Sequence, residues 1–524
     1  MKELHIIYLN DRMKLQFLFL GLFIVIFVNP LHGQDGGYPI KYSSIAQQMV
    51  QTTVNGDPNA NSLPSVALDN GYGSFLDNPA SSALINDSYF SVGYLSNFTN
   101  NVNSFQNNAI TANNNIGALS NVGLIYRFPT VTGSLVLGGG YTVNNSINRK
   151  NNVFAENTRS SITDEFKDPS SYQDIAYETF AIDYIDEDEN ELASIFRIEN
   201  GSRTFAGVFQ DFETLQQSNI GEFSFFGATE FRKNLYVGIS FALISGTYTL
   251  RRNMLEQDIR NVYNHNFLFQ DDNGNNGTDI EEISLSENIE LEIIGASVRA
   301  GFLYKLTQFL NIGASYTFPN TLFISEYYDV SLNTLFDDGT YSQDGYYYDE
   351  GFNFEVQRPE KLNLGMALVN LNGLSISSSL EIVDHRNTEV KLTIDSDLTP
   401  DEIADLRQEE EEIKRSYRKD YNKVMNASIG AKYLLKNDME IRATFQHKVG
   451  KSNTLNADKN IYTFGFGIPI FENIYLDVST QYSKWRDRSI LYEYLNTESR
   501  KVISETIYEN ISHYKLLLGL KFKL

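Results

Sequence analysis

The sequence predicts an all-β fold: a 14-stranded antiparallel transmembrane β-barrel with a small N-terminal plug in its lumen. Two observations predict the barrel. Apolar and polar residues alternate along one segment after another, and the links between these segments are alternately short and long. A transmembrane strand turns an apolar face to lipid and a polar face to the lumen, so a period of two is typical of it.

The composition excludes several classes of function. The 524 residues carry 42 Lys and Arg against 66 Asp and Glu, which gives a net charge of -24. Nucleic-acid binding requires cationic side chains that neutralise phosphates, so a general nucleic-acid partner is excluded. The chain has no cysteine, which excludes disulfides, thiolate metal sites and a lipid-modified cysteine. We expect neither a metal nor a cofactor.

The N-terminus has the pattern of an export signal. After Met13 an apolar core covers 17–28, which fits the roughly 7–15 residues of a signal core and is shorter than a membrane-spanning helix. We predict a signal peptide at 1–33, with the true start at Met13 and cleavage between Gly33 and Gln34. A membrane anchor is the alternative.

The period of two recurs in fourteen candidate strands. Met439, Ile441 and Phe445 share one face of such a strand, and Arg442 and Thr444 share the other. The candidates lie near 88–100, 117–129, 133–146, 221–232, 235–251, 289–306, 310–324, 354–369, 373–386, 422–435, 439–450, 459–468, 474–486 and 511–524.

The lengths of the links favour a membrane barrel over a soluble sandwich. Short turns follow Phe128, Arg232 and Leu435, whereas long polar links are predicted at 147–220, 252–288, 325–353, 387–421 and 487–510. Bacterial outer-membrane barrels combine an even strand number with short periplasmic turns and long outer loops. We therefore expect residues 88–524 to form a barrel in the outer membrane of a Gram-negative cell, with both termini in the periplasm.

One long link contains a predicted helix. Within 399–420, Thr399 is a candidate N-cap and Pro400 a candidate first residue, and a run of acidic residues follows. The helix is either a surface element or a place where divalent cations bridge the protein to lipopolysaccharide.

Residues 34–87 are rich in Asn, Gly, Pro and Ser and form either a disordered tail or a plug. The stretch ALDNGYGSFLDNPASSAL, 67–84, resembles the plug-to-barrel junction of the FadL/TodX family, which transports long-chain fatty acids and aromatic hydrocarbons across the outer membrane. The family's Asn-Pro-Ala matches Asn78, Pro79 and Ala80. Its acidic pair is represented by Asp69 and Asn70, and its Gly-rich, Arg-containing segment is replaced by VQTTVNGDPNANSLPSV. RPEKLNLGMALVN from Arg358 and NASIGAKYLLKNDMEIRATFQH from Asn426 are similar to a mid-barrel strand and a late hairpin of the same family.

The resemblance implies passive uptake by a monomeric channel. A hydrophobic small molecule would enter a plugged lumen and leave sideways into the membrane, through a gap opened by an inward kink of the third strand. That strand contains Gly138, Gly139 and Gly140, and glycines permit bends and bulges. The alternative is that these glycines make room for plug side chains. Expected contacts are outer-membrane lipid, lipopolysaccharide and, through the C-terminal strand, the barrel assembly machinery.

Four bases are predicted to point into the lumen: Arg127, Arg299, Arg442 and Lys515. They are candidates to hold the carboxylate of an amphipathic solute through charge-assisted hydrogen bonds. The competing interpretation is that they neutralise acids of the lumen or plug, such as Glu440, Asp477 and Asp69.

Three classes of function are compatible with such a barrel. The favoured one is a channel for hydrophobic solutes, and the alternative is a non-transporting barrel of the same family that serves as a docking or shuttle component of protein secretion. An enzyme is not expected, because G-x-S-x-G, H-E-x-x-H and Walker A motifs are absent and no catalytic residue is assigned. His385 with Glu381 is the only hint of catalysis.

Overall fold

The computed structural model describes residues 42–169, 171–184, 192–197, 205–263, 280–339, 341–394, 398–452, 458–496 and 499–524. The predicted signal peptide and its cleavage site lie outside these residues. Seventeen strand segments form one antiparallel sheet, and three pairs of segments continue one another along the same barrel strand. The barrel therefore has fourteen strands, as the sequence predicted.

We number the barrel strands in chain order. They are β1 Tyr89–Phe105, β2 Asn108–Phe128, β3 Leu135–Asn157, β4 Val208–Arg232, β5 Leu235–Gln257, β6 Ile280–Lys305, β7 Leu310–Thr317 with Asn320–Phe336, β8 Tyr341–Arg358 with Lys361–Leu371, β9 Leu374–Asp384 with Glu389–Leu392, β10 Lys423–Leu434, β11 Glu440–Lys448, β12 Lys459–Phe471, β13 Ile474–Asn496 and β14 Lys501–Lys523. Pro319 and Pro359 lie in two of the three interruptions, where a missing N–H breaks the ladder.

The barrel is closed by its first and last strands. β1 pairs with β14 from Tyr89 opposite Lys523 to Ser104 opposite Tyr508. The other neighbours along the barrel pair in sequence order, each antiparallel to the next. Such closure satisfies backbone groups that an open sheet would leave unpaired in lipid.

The two faces of the strands carry the predicted residues. On β11, the side chain of Ile441 is 41% exposed on the outside, whereas Arg442 is 1% exposed on the inside. On β5, Phe241 and Leu243 are exposed and Ala242 between them is buried. An apolar outer surface and a polar interior are what a barrel in lipid requires.

The strands extend further toward the long-loop end than the sequence predicted. β1 and β2 meet at a tight turn of Gln106 and Asn107, and the predicted loop at 325–353 is mostly a hairpin of β7 and β8. The predicted loops at 147–220, 252–288 and 487–510 likewise begin and end within strands, and 387–421 includes the last segment of β9. Polar residues continue the ladder there, so the apolar alternation fades before the strands end.

In the described part of the chain four α-helices accompany the barrel: α1 Tyr42–Val50, α2 Pro58–Asn61, α3 Gln173–Glu178 and α4 Pro400–Asp420. The bounds of α4 agree with the helix predicted from Thr399 and Pro400. Short 3-10 turns cover Tyr72–Leu76, Pro79–Leu84, Ile162–Asp164, Ile195–Arg197, His385–Asn387 and Lys436–Asp438, and a small hairpin joins Ile182–Tyr184 to Leu192–Ser194. Within the described ranges, no helix is both long and apolar enough to cross a membrane.

An apolar cluster fills the barrel at the long-loop end. It joins Ile45 and Met49 of α1 to Phe166 and Tyr172 of the β3–β4 loop and to inward-facing strand residues, all buried. The N-terminal segment, residues 42–87, therefore begins near the long loops. It reaches β1 at the short-turn end, where Asn86 contacts Arg127 of β2.

Candidate functional site

The Asn78-Pro79-Ala80 motif lies against the inner face of the barrel. The buried side-chain amide of Asn78 donates to the carbonyl of Val66 at 2.7 Å and to that of Phe302 in β6 at 3.0 Å. Its oxygen accepts from the N–H of Ala80, which caps the 3-10 turn that begins at Pro79. Asn78 therefore both caps the turn at Pro79 and holds this part of the N-terminal segment against the barrel wall.

Two opposed glycines make this contact possible. Gly238 of β5 pairs with Gly301 of β6. A Cβ on Gly238 would lie 2.5 Å from the carbonyl carbon of Pro79, and one on Gly301 would lie 1.9 Å from Oδ1 of Asn78. This pair was not predicted from the sequence, although glycine inside a strand is a signal for close approach of another backbone.

Asp69 and Asn70 hold a turn within the N-terminal segment. The buried amide of Asn70 donates to the carbonyl of Asn59, and its N–H bonds to Oγ of Ser74 at 2.9 Å. Asp69 accepts from the N–H of Gly71 at 3.3 Å. Both residues therefore make hydrogen bonds within the N-terminal segment, and these bonds stabilise its turn.

The wall of the barrel has a break in its ladder between β2 and β3. The two strands pair only from Asn121 opposite Thr142 to Phe128 opposite Leu135. Beyond that point β2 continues to pair with β1, and β3 continues to pair with β4. We call this break, where 108–120 and 143–157 separate, the β2–β3 seam.

The glycine run lies just before the seam. Gly140 has a φ of +148°, and a Cβ there would lie 2.1 Å from the carbonyl oxygen of Val122. A Cβ on Gly138 would instead meet the ring of Phe226, which stacks on Phe75 of the N-terminal segment at 4.7 Å between ring centroids. Gly140 thus has a backbone conformation that favours glycine, and Gly138 leaves room for Phe226. A role of the run in a lateral exit stays a prediction.

The N-terminal segment pairs with β3 at the seam. The N–H of Thr53 donates to the carbonyl of Asn144 at 2.9 Å, and that of Gly56 donates to the carbonyl of Val143 at 2.8 Å. The hydroxyl of Thr53 accepts from the N–H of Ser146 at 2.8 Å. The segment thus takes over hydrogen bonds that β2 would make in a regular barrel.

Side chains of β1 satisfy the next carbonyls of β3. The amide of Asn97 donates to the carbonyl of Ser146 at 3.3 Å, and that of Asn101 donates to the carbonyl of Lys150 at 3.1 Å. Between them Thr99 donates to the carbonyl of Asn148. Side-chain donors separate more easily than a backbone ladder, because each bond breaks independently of its neighbours.

Three of the four predicted bases are buried in the lumen with protein partners. Arg299 makes two hydrogen bonds to the buried carboxylate of Glu222, at 2.7 and 2.8 Å. Arg442 bonds to Asp477 at 2.8 Å and contacts Asn59 of the N-terminal segment.

Lys515 and Arg127 bond to the N-terminal segment through neutral oxygens. Nζ of Lys515 donates at 3.1 Å to the carbonyl and the hydroxyl of Thr53 and to the carbonyl of Ser146. Arg127 donates to the carbonyl of Ile85 at 2.7 Å. Arg299 and Arg442 thus pair with lumenal acids, whereas Lys515 and Arg127 contact neutral oxygens. The role of all four bases toward a solute stays a prediction.

We expect Arg442→Gln to destabilise the barrel. The substitution leaves the buried carboxylate of Asp477 without its cation, and breaking such a pair costs about 3–5 kcal/mol. The temperature at which the purified barrel loses its folded electrophoretic mobility should fall. Adding Asp477→Asn should restore part of the loss, because the unpaired charge is then removed. An unchanged unfolding temperature would contradict this structural role.

A second group of bases lines a lumenal cavity that the sequence analysis did not identify. We call the cavity the basic chamber; it lies between 50–52 of the N-terminal segment and the wall, mainly from β6 to β12. Its charged lining residues are Arg299, Arg358, Lys361, Lys448, Lys451, Lys459 and the single acid Glu381. A lower cavity shares Thr52, Lys361, Glu381 and Lys448 with it and adds Asp77.

The bases of the chamber come from distant parts of the sequence. Arg358 and Lys361 flank the interruption in β8, and Lys448 and Lys459 lie at the facing ends of β11 and β12. In the sequence these positions read as charged strand ends or loop residues. Only the strand order brings them to one cavity.

A closed barrel of fourteen strands with an apolar outer surface and a charged, partly filled lumen defines a transmembrane β-barrel. Among the described residues, no cluster of three or more His, Asp or Glu side chains is arranged to hold a metal ion.

The chain was compared with solved structures. The chain is similar to the toluene transporter TodX of P. putida, with 13% identity, a TM-score of 0.49, and coverage of 89% of this chain and 98% of that one. It is similar to the toluene transporter TbuX of Ralstonia pickettii (14%, 0.47, 89% and 98%) and to a FadL homologue of Pseudomonas aeruginosa (10%, 0.48, 90% and 99%). No protein-family model matches the chain, and no curated protein sequence does. TodX and FadL also name the family that the sequence motifs resemble.

Proposed function

We propose that the protein is an outer-membrane channel for passive uptake of hydrophobic solutes, such as long-chain fatty acids or aromatic hydrocarbons. Residues 34–87 act as the plug, and the β2–β3 seam is the lateral exit. The observation that carries the proposal is the seam itself: a wall strand leaves its neighbour and bonds instead to the N-terminal segment. The structural neighbours TodX and TbuX are named as toluene transporters.

The seam suits solutes that prefer lipid to water. Along most of the seam the exposed side chains of β2 are polar, as at Asn113 and Asn115. At the end of the seam next to the intact ladder the outward side chains are apolar: Leu119 and Leu124 of β2, Leu137 of β3, and Phe223 and Phe225 of β4 are all exposed. A hydrophobic molecule that passes between β2 and β3 would therefore meet apolar side chains and then lipid, without crossing water. A hydrophilic solute would lose its hydration on the same route.

The cell context follows from the same proposal. The barrel would lie in the outer membrane as a monomer, contact lipid and lipopolysaccharide, and be recognised by the barrel assembly machinery through β14. We propose no catalytic function. His385 and Glu381 both line the basic chamber, where a charged lumen accounts for them.

Uptake assays test the proposal. In a strain that lacks the gene, initial uptake of radiolabelled palmitate or toluene should fall toward the background of passive diffusion, and the full-length gene should restore it. Uptake of a small hydrophilic solute is the control and should not change. Normal uptake of every hydrophobic solute, together with impaired secretion of a protein cargo, would favour the docking or shuttle alternative.

A further inference from the structure

The cations of the basic chamber exceed the acids that could neutralise them. Arg299 pairs with Glu222 outside the chamber, and Lys361 lies 3.3 Å from Glu381. Among the described residues, the other four bases have no carboxylate within salt-bridge distance. These unpaired bases are Arg358, Lys448, Lys451 and Lys459. Asp77 in the lower cavity accepts from the N–H of Ser65 at 2.9 Å and pairs with none of them.

Each of the four bases makes few contacts and could donate further hydrogen bonds to a ligand. Arg358 donates to the amide oxygen of Asn320 at 2.7 Å, and Lys448 donates to the carbonyl of Thr52 at 2.8 Å. Nζ of Lys459 lies 4.1 Å from the centroid of the Trp485 ring. Nζ of Lys451 is buried and has no hydrogen-bond partner in the structure.

An unpartnered buried ammonium group is costly, so such a group is expected to lose its proton or to bind an anion. Burial, together with the nearby charges of Lys459 and Lys448, lowers the pKa of Lys451 well below its usual value. An anion beside it would favour the protonated form again. The electrostatics of the chamber therefore favour an anionic occupant.

We propose that the basic chamber binds the head group of an amphiphile that carries two negative charges, such as an alkyl phosphate or an alkyl dicarboxylate. This inference rests on the proposed function and specifies its substrate class. A single carboxylate neutralises one cation and leaves several of the four unpaired. A dianion has enough oxygens to accept charge-assisted hydrogen bonds from several of them at once.

The walls of the chamber also suit the first carbons of an alkyl chain. Val50, Pro359, Val383 and Val449 line the same cavity as the bases. Asn144 of β3, whose carbonyl accepts from Thr53 at the seam, lines it as well. A head group held at the bases thus leaves its chain within the lumen and near the proposed exit.

The single tryptophan of the chain gives a direct assay of binding. Trp485 contacts Lys459, so an anion at that lysine should change its fluorescence. The full chain, purified in an uncharged maltoside detergent, is titrated with decyl phosphate, decylmalonate, decanoate and decanol. We expect one or both dianions to bind at least about tenfold more tightly than decanoate. Comparison of decyl phosphate with decylmalonate shows whether a phosphate or a dicarboxylate is the preferred head group.

Variants locate the site. Lys451→Gln and Arg358→Gln should each weaken dianion binding about tenfold and leave decanol binding unchanged. Lys432→Gln is the matched control, because Lys432 is a half-buried base of β10 that does not line the chamber. Equilibrium dialysis with labelled decyl phosphate provides a readout that does not depend on Trp485.

Equal affinities for decanoate and both dianions would overturn the inference. So would Lys451→Gln or Arg358→Gln variants that weaken all four probes alike. The proposed function fails in a different way: palmitate and toluene uptake would be unchanged in the deletion strain, whatever the purified protein binds.

Discussion

A covalent link across the β2–β3 seam should stop release of solute into the membrane. Asn114 of β2 and Asn148 of β3 face each other beyond the end of the ladder, with 2.6 Å between their side-chain amides. The chain has no native cysteine, so Asn114→Cys with Asn148→Cys creates a unique pair for a short thiol-specific crosslinker. We expect uptake of palmitate or toluene to fall at least about tenfold, because a blocked conformational step becomes rate-limiting.

The control for this experiment is a link across an intact part of the wall. Glu213 of β4 pairs with Asn253 of β5 at the same end of the barrel. Crosslinked cysteines at these two positions should leave uptake unchanged. Cleavage of a disulfide-containing crosslinker by reductant should restore uptake in the seam variant. Full uptake by a barrel verified to be crosslinked at the seam would rule out this exit.

The faces of the strands could be predicted because each residue meets one of two different environments. Lipid favours apolar side chains at every second position, and the lumen favours polar ones. The alternation of neighbouring residues is therefore enough to assign each residue to a face. Exposed Ile441 and its buried neighbour Arg442 are an example. The strand count followed from the same pattern, since each strand must cross the lipid once.

The seam could not be predicted, because alternation does not show which strands pair. Asn97, Thr99 and Asn101 occupy lumen positions of β1, and any polar residue satisfies that pattern. Their hydrogen bonds to the carbonyls of β3 depend on where β3 leaves β2. Only the glycine run, with Gly140 at positive φ, marked that region in the sequence.

The unpaired bases of the basic chamber could not be predicted for a similar reason. Arg299 and Arg442 stand out in the sequence because each is a base on the lumen-facing side of an alternating strand in a strongly acidic chain, and the structure pairs both with carboxylates. Lys448 and Lys451 lie next to a polar link and look like surface charges. The surroundings of Lys448 depend on the N-terminal segment, since its Nζ donates to the carbonyl of Thr52.

Substitution of Gly238 by valine should dislodge the plug while the barrel still assembles. Gly238 has ordinary extended backbone geometry, and valine favours strands, so the ladder to Gly301 can form. Its new Cβ would lie 2.5 Å from the carbonyl carbon of Pro79 and 2.6 Å from the nitrogen of Ala80. These are backbone atoms and cannot rotate away, so the whole Asn78-Pro79-Ala80 turn must move.

The displaced turn should open the lumen to ions and hydrophilic molecules. We expect a clear rise in single-channel conductance in planar bilayers and in cell sensitivity to a large hydrophilic antibiotic, with the folded electrophoretic mobility of the barrel retained. Gly227→Val on β4 is the matched control, because a Cβ at Gly227 meets only the tip of Leu137, 3.0 Å away. The prediction is wrong if Gly238→Val barrels conduct like the wild type, because the turn would then be able to adjust without unsealing the lumen.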